Sequence, residues 1–389
     1  MAQSKAQGEP KQRKAPVIDC DFAGGNIVVK RIEGDTVFVR QDLRDTRGWW
    51  FYWYFRVRGA AGRTLTFRFD NPRSFTVRGP AVSTDAGKSW SWLGGQAVKE
   101  AAFSYKFPPG AEDVRFSMAM PYVQSDLGEF LRAYARNRHL KVERHCKTPK
   151  GRTVERLRFG RLDGQCTCRV LLTCRHHACE MMASYVLEGV VEGALSDTPD
   201  GQWLRQNVEF LAVPFADKDG VEDGDQGKNR KPHDHNRDYR GKSIYPSVRA
   251  LRELVPRWSG GRLRIALDLH CPYIRGGAND QLFFVGGPSQ ENWQRIQQFG
   301  RVLKSVQTGA LQYTGRFDIP HGVSWNKATS GPCGKWAETL PGVLVATTIE
   351  IPYASAGGKT VTPKTARTFG RALARAIRRF LETRAATPG

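Results

Sequence analysis

CRVLLTCRHHACEMMASYVLEG, residues 168–189, contains the turn around which the rest of the chain is organised. An apolar, strand-like run stops at Arg175, and His177-Ala-Cys-Glu180 opens a pattern with helical spacing. An imidazole and a carboxylate three residues apart fall on one side of a single turn, so both can reach one metal ion. Alone, that spacing more often marks a surface histidine and a helix-start glutamate. A metal needs further ligands, and the chain offers candidates in comparable surroundings. LRIALDLH (263–270) is an apolar run ending on His270, and LVATTIEIPY (344–353) carries Glu350 near its end. Four such residues at the ends of apolar strands outweigh the bland reading of any one.

The chain has 389 residues, more than one ordinary core accommodates, which predicts two domains. Its 60 Lys and Arg against 38 Asp and Glu give a net charge of +22. The basic residues are scattered rather than grouped, which argues for solubility and weak anion attraction and against a nucleic-acid groove. No apolar run approaches the roughly 20 residues needed to span a bilayer. MAQSKAQGEPKQRKAP has charge but no apolar centre, so residues 1–16 are expected to form a disordered tail rather than a secretion signal. Eight cysteines without paired C-x-x-C spacing read as reduced thiols of a cytoplasmic protein. No oligomeric state is read from the sequence.

From Ile18 to Tyr122 short alternating segments follow one another, broken by Gly, Asn-Pro and Pro-Pro-Gly. This pattern predicts an antiparallel β-sandwich over residues 17–122, with WWFYWYFRV (49–57) as a core strand. Nothing in it has catalytic spacing, so it is expected to pack on the second domain and shape access to it. Residues 123–389 alternate instead: helix 125–140, strand 168–174, helix 180–195, strand 208–215, a polar loop 216–243, helix 246–257, strand 263–269. A strand near 281–285, helix 290–305, an irregular stretch 309–342, strand 343–351 and helix 363–382 complete it. Such alternation predicts an α/β domain with a mixed central sheet covered on both faces. Ligands in these sheets sit beyond the carboxyl ends of the strands, where His177, His270 and Glu350 fall. The last helix carries Phe369, Leu373, Ile377 and Phe380 as a stripe, with arginines elsewhere, as a docked surface helix would.

The loop GVEDGDQGKNRKPHDHNRDY (220–239) places the Asn236 amide beside the Arg237 guanidinium, a pair suited to gripping a carboxylate. Here the sequence resembles the M14 zinc carboxypeptidases, in particular their cytosolic carboxypeptidase branch. The likeness runs from Gly25-Asn26 and the Trp-Phe-Tyr strand through Pro121-Tyr122 and Cys146-Lys-Thr148 with Gly151. It continues with His177-x-x-Glu180, Ser184, Gly189, Val213-Pro214, Asp219-Gly220, Asn236-Arg237, Asp268-Leu-His270 and Thr348-Ile-Glu350.

The resemblance implies one Zn2+ per chain held by His177, Glu180 and His270, with an open position for water. It implies Glu350 as the base, Asn236 and Arg237 as the grip on the substrate's terminal carboxylate, and a peptide or protein C-terminus as the partner. Arg230 is the local candidate for the cation facing the oxyanion, although its spacing to Arg237 is shorter than the family's. Asp268 reads as an orienter of His270 or a buried partner of the backbone. The family's substrate-facing tyrosine has no counterpart between Tyr313 and Tyr353, leaving Trp325 or Lys327 for that space. The family's Asn-Pro-Asp-Gly turn reads Asp217-Lys-Asp219-Gly220, and the acids from Asp217 to Asp225 read as solvated turn residues ahead of a calcium loop. His233 and His235 read as exposed or hydrogen-bonded ahead of a second metal. Lys335, where family members select the terminal residue, points to an acidic one. Rival readings are an amidohydrolase of small N-acyl amino acids, a peptidoglycan peptide trimmer and a non-catalytic binder of an acidic polymer.

Overall fold

The computed structural model describes residues 15–385. The tail expected over residues 1–16 lies outside the described residues except for Ala15 and Pro16.

Alternating apolar residues in the first hundred positions fold into two five-stranded sheets packed face to face. One runs in the order Val17–Asp19, Tyr54–Arg58, Val114–Ser117, Ala81–Ser83, Ser91–Trp92; the other Val28–Glu33, Thr36–Arg40, Thr64–Phe69, Ala102–Lys106, Val98–Lys99. Pairing is antiparallel except between Thr36–Arg40 and Thr64–Phe69, which run parallel. Trp53, Phe55, Phe67, Phe69, Phe103 and Phe116 fill the space between them in tilted and stacked contacts of 4.8–6.4 Å. The aromatic run at 49–57 is strand only from Tyr54. Phe51, Tyr52 and Trp53 are buried without ladder pairing, and Trp50 turns toward the second half of the chain.

Residues beyond 140 build a seven-stranded sheet, mixed as expected. Its order is Leu140–Lys147, Thr153–Gly160, Val208–Val213, Cys168–Cys174, Leu263–His270, Val345–Glu350, Phe283–Val285. The middle four strands are parallel and the others antiparallel. Both faces are covered, so the central strands read as continuous apolar runs: Val170 and Leu172 face one core, Leu171 the other. The chain leaves Cys168–Cys174 for Val208–Val213 on one side and later returns to Leu263–His270 on the other. That reversal opens a crevice at the strands' carboxyl ends.

The helix expected over 125–140 is shorter, Gln124–Arg132, because Leu140–Lys147 pairs with Thr153–Gly160 as a hairpin. The charge-rich residues of that hairpin hide its period-two pattern. Lys218–Asp223 and Cys333–Ala337 are helices in stretches read as loop or irregular, and Pro199–Asn207 is one where no element was assigned. The last helix, Pro363–Ala385, packs on Met181–Leu195 rather than on the sheet. A Cβ on Gly189 would stand 2.1 Å from the Arg367 carbonyl oxygen, so only glycine allows this crossing. Its arginines pair at home, Arg367 with Glu188 and Arg371 with Glu192. No helix among the described residues is long and apolar enough to cross a membrane.

Candidate metal and active site

The strand Cys168–Cys174 ends at Arg175, whose φ of +59° lies in the left-handed region that non-glycine residues rarely adopt. Its buried guanidinium holds the turn by donating to the carbonyls of Ala178 (3.0 Å) and Tyr122 (2.8 Å) and to the Ser184 hydroxyl (3.1 Å). His177 and Glu180 therefore meet in a turn that precedes helix Met181–Leu195, not on the helix itself. His177 Nδ1 lies 2.9 Å from Glu180 Oε1, and His270 Nδ1 lies 2.7 Å from Glu180 Oε2. Donor atoms of all three residues fall within 4.8 Å of one another. Glu180 Oε2 is buried without a hydrogen bond, because its contact with His270 satisfies distance and not direction. Two imidazole nitrogens and a carboxylate carrying an unsatisfied oxygen are a donor set that fits zinc. Burial pushes the Glu180 carboxyl up, but Lys228, His270 and His177 outweigh it and hold it well below the usual range.

Each imidazole has its own carboxylate behind it. Asp268 Oδ2 sits 2.7 Å from His270 Nε2, while its Oδ1 accepts from Thr173 (2.7 Å) and faces His176 Nδ1 at 2.9 Å. His176 Nε2 in turn faces the Tyr239 hydroxyl at 2.7 Å. Asp268 is thus the orienter the sequence allowed. Asp234 Oδ1 lies 3.5 Å from His177 Nε2 and has no hydrogen bond. A carboxylate hydrogen-bonded behind an imidazole fixes its ring orientation and tautomer, as Asp268 does for His270, leaving Nδ1 free to coordinate. His176, Tyr239 and Asp234 escaped the sequence reading. The doubled histidine at 176–177 was the one local signal for the first of them.

His270 and Glu350 are register partners on adjacent parallel strands, so their side chains stand side by side. Glu350 Oε2 is buried and unpartnered, and burial together with Glu180 pushes its pKa up to about 7. These residues open into a cleft of about 790 Å3 also lined by Asn236, Arg237 and Lys335. Asn236 Oδ1 accepts from the Cys333 amide (2.9 Å), and its amide nitrogen lies 3.3 Å from His270 Nε2. Arg237 is exposed at the cleft wall. Lys335 is buried, donates to the Ala328 carbonyl and lies near His321; burial and Arg237 lower its pKa. Trp325, 56% exposed, lines the cleft where the tyrosine was missing, whereas Lys327 is not part of the lining.

Two expectations change. Arg230 borders the cleft, but Asp45, Asp217 and Asp225 engage its guanidinium at 3.0, 2.5 and 2.8 Å, away from an oxyanion role. The acids of 217–225 are ion-paired rather than solvated: Arg152 bridges Asp219 and Asp223, and Lys150 joins Asp223. Those cations engage carboxylates that a calcium ion would need. His233 and His235 diverge, the first to Asp238 (2.7 Å), the second stacked on Tyr245 (3.6 Å), so they do not build a second metal site. All eight cysteines are free thiols.

The sandwich does more than shape access. Its loop supplies Arg47 and Trp50 to the cleft lining. Asp45 accepts from the amides of Gln226 (3.2 Å) and Gly227 (2.8 Å), Tyr52 donates its amide to Gln226 Oε1 (2.9 Å), and Thr46 donates to the Lys228 carbonyl (2.7 Å).

The "Zinc carboxypeptidase" family model, Peptidase_M14, matches residues 129–253, a span holding His177, Glu180, Asn236 and Arg237 but ending before His270 and Glu350. The chain is 26% identical over 205 residues to cytosolic carboxypeptidase 2 of Xenopus tropicalis, covering 50% of this chain and 21% of that protein. It is 26% identical over 328 residues to cytosolic carboxypeptidase 3 of Mus musculus, covering 73% of this chain and 32% of that one. It thus spans a third or less of these two relatives. Among solved structures, a metallo-carboxypeptidase from Burkholderia cenocepacia superposes with a TM-score of 0.78 at 19% identity, covering 95% of this chain and 100% of that one. That likeness shows the fold.

Proposed function

We propose that this chain is a zinc metallocarboxypeptidase of the M14 family that hydrolyses the C-terminal peptide bond of peptides or protein tails. The observation that carries this reading is the convergence of the His177, Glu180 and His270 donors beside the unpartnered Glu350 carboxylate, in one cleft with an exposed arginine. His177, Glu180 and His270 would hold one zinc, which when bound supplies Lewis acidity toward water and the scissile carbonyl.

The remaining work falls to the chain. Arg237, beside Asn236, pairs with the substrate's terminal carboxylate and so sets the cut at the last residue. Glu350 takes a proton from the attacking water as the carbon–oxygen bond forms. It then delivers that proton to the departing amine as the carbon–nitrogen bond breaks. Burial suits Glu350 to both tasks, since a carboxyl raised toward neutrality both accepts and returns a proton. Arg230 serves here as the core of a salt-bridge cage that shapes the loop.

Lys335 and Arg237, both lining the cleft, favour an acidic terminal residue. Eight free thiols suit a reducing, cytoplasmic compartment. Glu350→Gln is the direct test: the variant should keep its zinc and lose roughly 10^3-fold or more in kcat. Full activity would refute the base assignment. Peptides ending in Glu, Leu and Lys test the terminal preference, and faster release of Leu or Lys would remove the acidic reading.

A further inference from the structure

Charge builds on the scissile carbonyl oxygen during attack, and a positive group held in place to face it stabilises that charge. Arg230 does not provide one. To swing it into the cleft would strand Asp45, Asp217 and Asp225, which are largely buried and depend on it. Two residues earlier stands a cation with none of these ties. Lys228 Nζ lies 2.7 Å from Glu180 Oε1 and 3.1 Å from the Cys271 carbonyl oxygen, with its side chain only 13% exposed. An ammonium has three N–H donors, so one is left for the cleft that Lys228 lines.

The backbone carrying Lys228 is fixed on both sides by the sandwich. Asp45 grips the amides before it, Thr46 holds its own carbonyl, and the Arg47 amide donates to the Asn229 carbonyl (3.1 Å). Trp50, from the same loop, places its ring 5.8 Å from the ammonium. Gly227 permits the approach: its φ is +79°, and a Cβ there would stand 2.2 Å from the Ala178 amide.

We propose that Lys228, positioned by the 45–50 loop of the sandwich, is the catalytic cation that faces the developing oxyanion in place of Arg230. This rests on the carboxypeptidase reading above. The competing role is a plain counter-charge for Glu180, which would matter for metal retention and not for the transition state.

The test uses the full-length zinc-loaded chain and a peptide phosphonate whose tetrahedral phosphorus replaces the scissile carbonyl. Zinc content and calorimetric affinities for the phosphonate and for the cleaved peptide product are measured for wild type, Lys228→Met and Lys228→Arg. The expected result is retained zinc, a loss of about 10^2-fold in phosphonate affinity for Lys228→Met, less than about threefold change for product, and partial recovery in Lys228→Arg. Equal losses for both ligands, an unchanged phosphonate affinity, or loss of zinc alone would overturn the proposal. Should Lys228→Met fail to fold, a crystal structure of wild type with the phosphonate decides. Lys228 Nζ within about 3.2 Å of a phosphoryl oxygen sustains the role, and Arg230 in that place overturns it. A wild-type chain that neither binds the phosphonate nor cleaves any peptide overturns the carboxypeptidase reading itself, and this proposal with it.

Discussion

Replacing Asp268 by asparagine should weaken zinc binding without emptying any space. In the native chain both oxygens accept: Oδ2 faces His270 Nε2, and Oδ1 is shared by Thr173 and His176. An amide has one acceptor. If Oδ1 stays with Thr173 and His176, the new NH2 points at His270 Nε2, which must then accept, leaving the proton on Nδ1, the atom that faces Glu180. The coordinating nitrogen is thus the one blocked. Hydrogen bonds to a charged group contribute about 1.5–3 kcal/mol against 0.5–1.5 for neutral ones, so two weakened histidine contacts cost about 2 kcal/mol. A carboxylate behind a ligating histidine is typically worth about 10–100-fold in metal affinity, the same range. Competition between the metal-free variant and a chromophoric chelator measures it directly. Zinc affinity within about twofold of wild type would refute the assignment of Asp268 as the group that sets the His270 tautomer.

Gly227→Ala forces a side chain into the left-handed region and against the Ala178 amide, so unfolding free energy should fall by more than about 2 kcal/mol, as read from urea midpoints. Trp53→Ala empties the centre of the sandwich and should cost about 3–5 kcal/mol; the smaller loss of a surface site would show that the aromatic stack is dispensable. Asp318 is raised to about 6 by burial, so the folded state keeps its proton where the unfolded chain has lost it. Stability relative to Asp318→Asn should therefore fall as pH rises from about 4 to about 6 and level off above, and a difference curve flat over that window would exclude the shift.

Much of the site was legible because metal ligation demands particular residue types at strand ends. His270 and Glu350 close apolar runs whose parallel pairing could be anticipated, and that pairing alone sets them side by side. Less legible was how His177 and Glu180 meet. The three-residue spacing suggested a helical turn, whereas a left-handed Arg175 and a non-helical turn make the contact. Arg230 and Lys228 could not be ranked from the sequence, since one of the three carboxylates that claim Arg230, Asp45, lies 185 residues away. The same distance hid the sandwich's part in the site. No local spacing in residues 41–52 resembles chemistry, yet that loop holds the 224–230 backbone. The hairpin Leu140–Lys147 with Thr153–Gly160 was lost because outward charges interrupt its alternation on a half-solvated edge.

The central claim is that three side chains separated by up to 93 residues, His177, Glu180 and His270, jointly hold one zinc. Elemental analysis of the purified chain and its His270→Ala and Glu350→Gln variants tests it most directly. One zinc per chain in wild type and Glu350→Gln, with almost none in His270→Ala, is the predicted result. Zinc retained at full stoichiometry in His270→Ala, or absent from wild type grown with ample zinc, would contradict it.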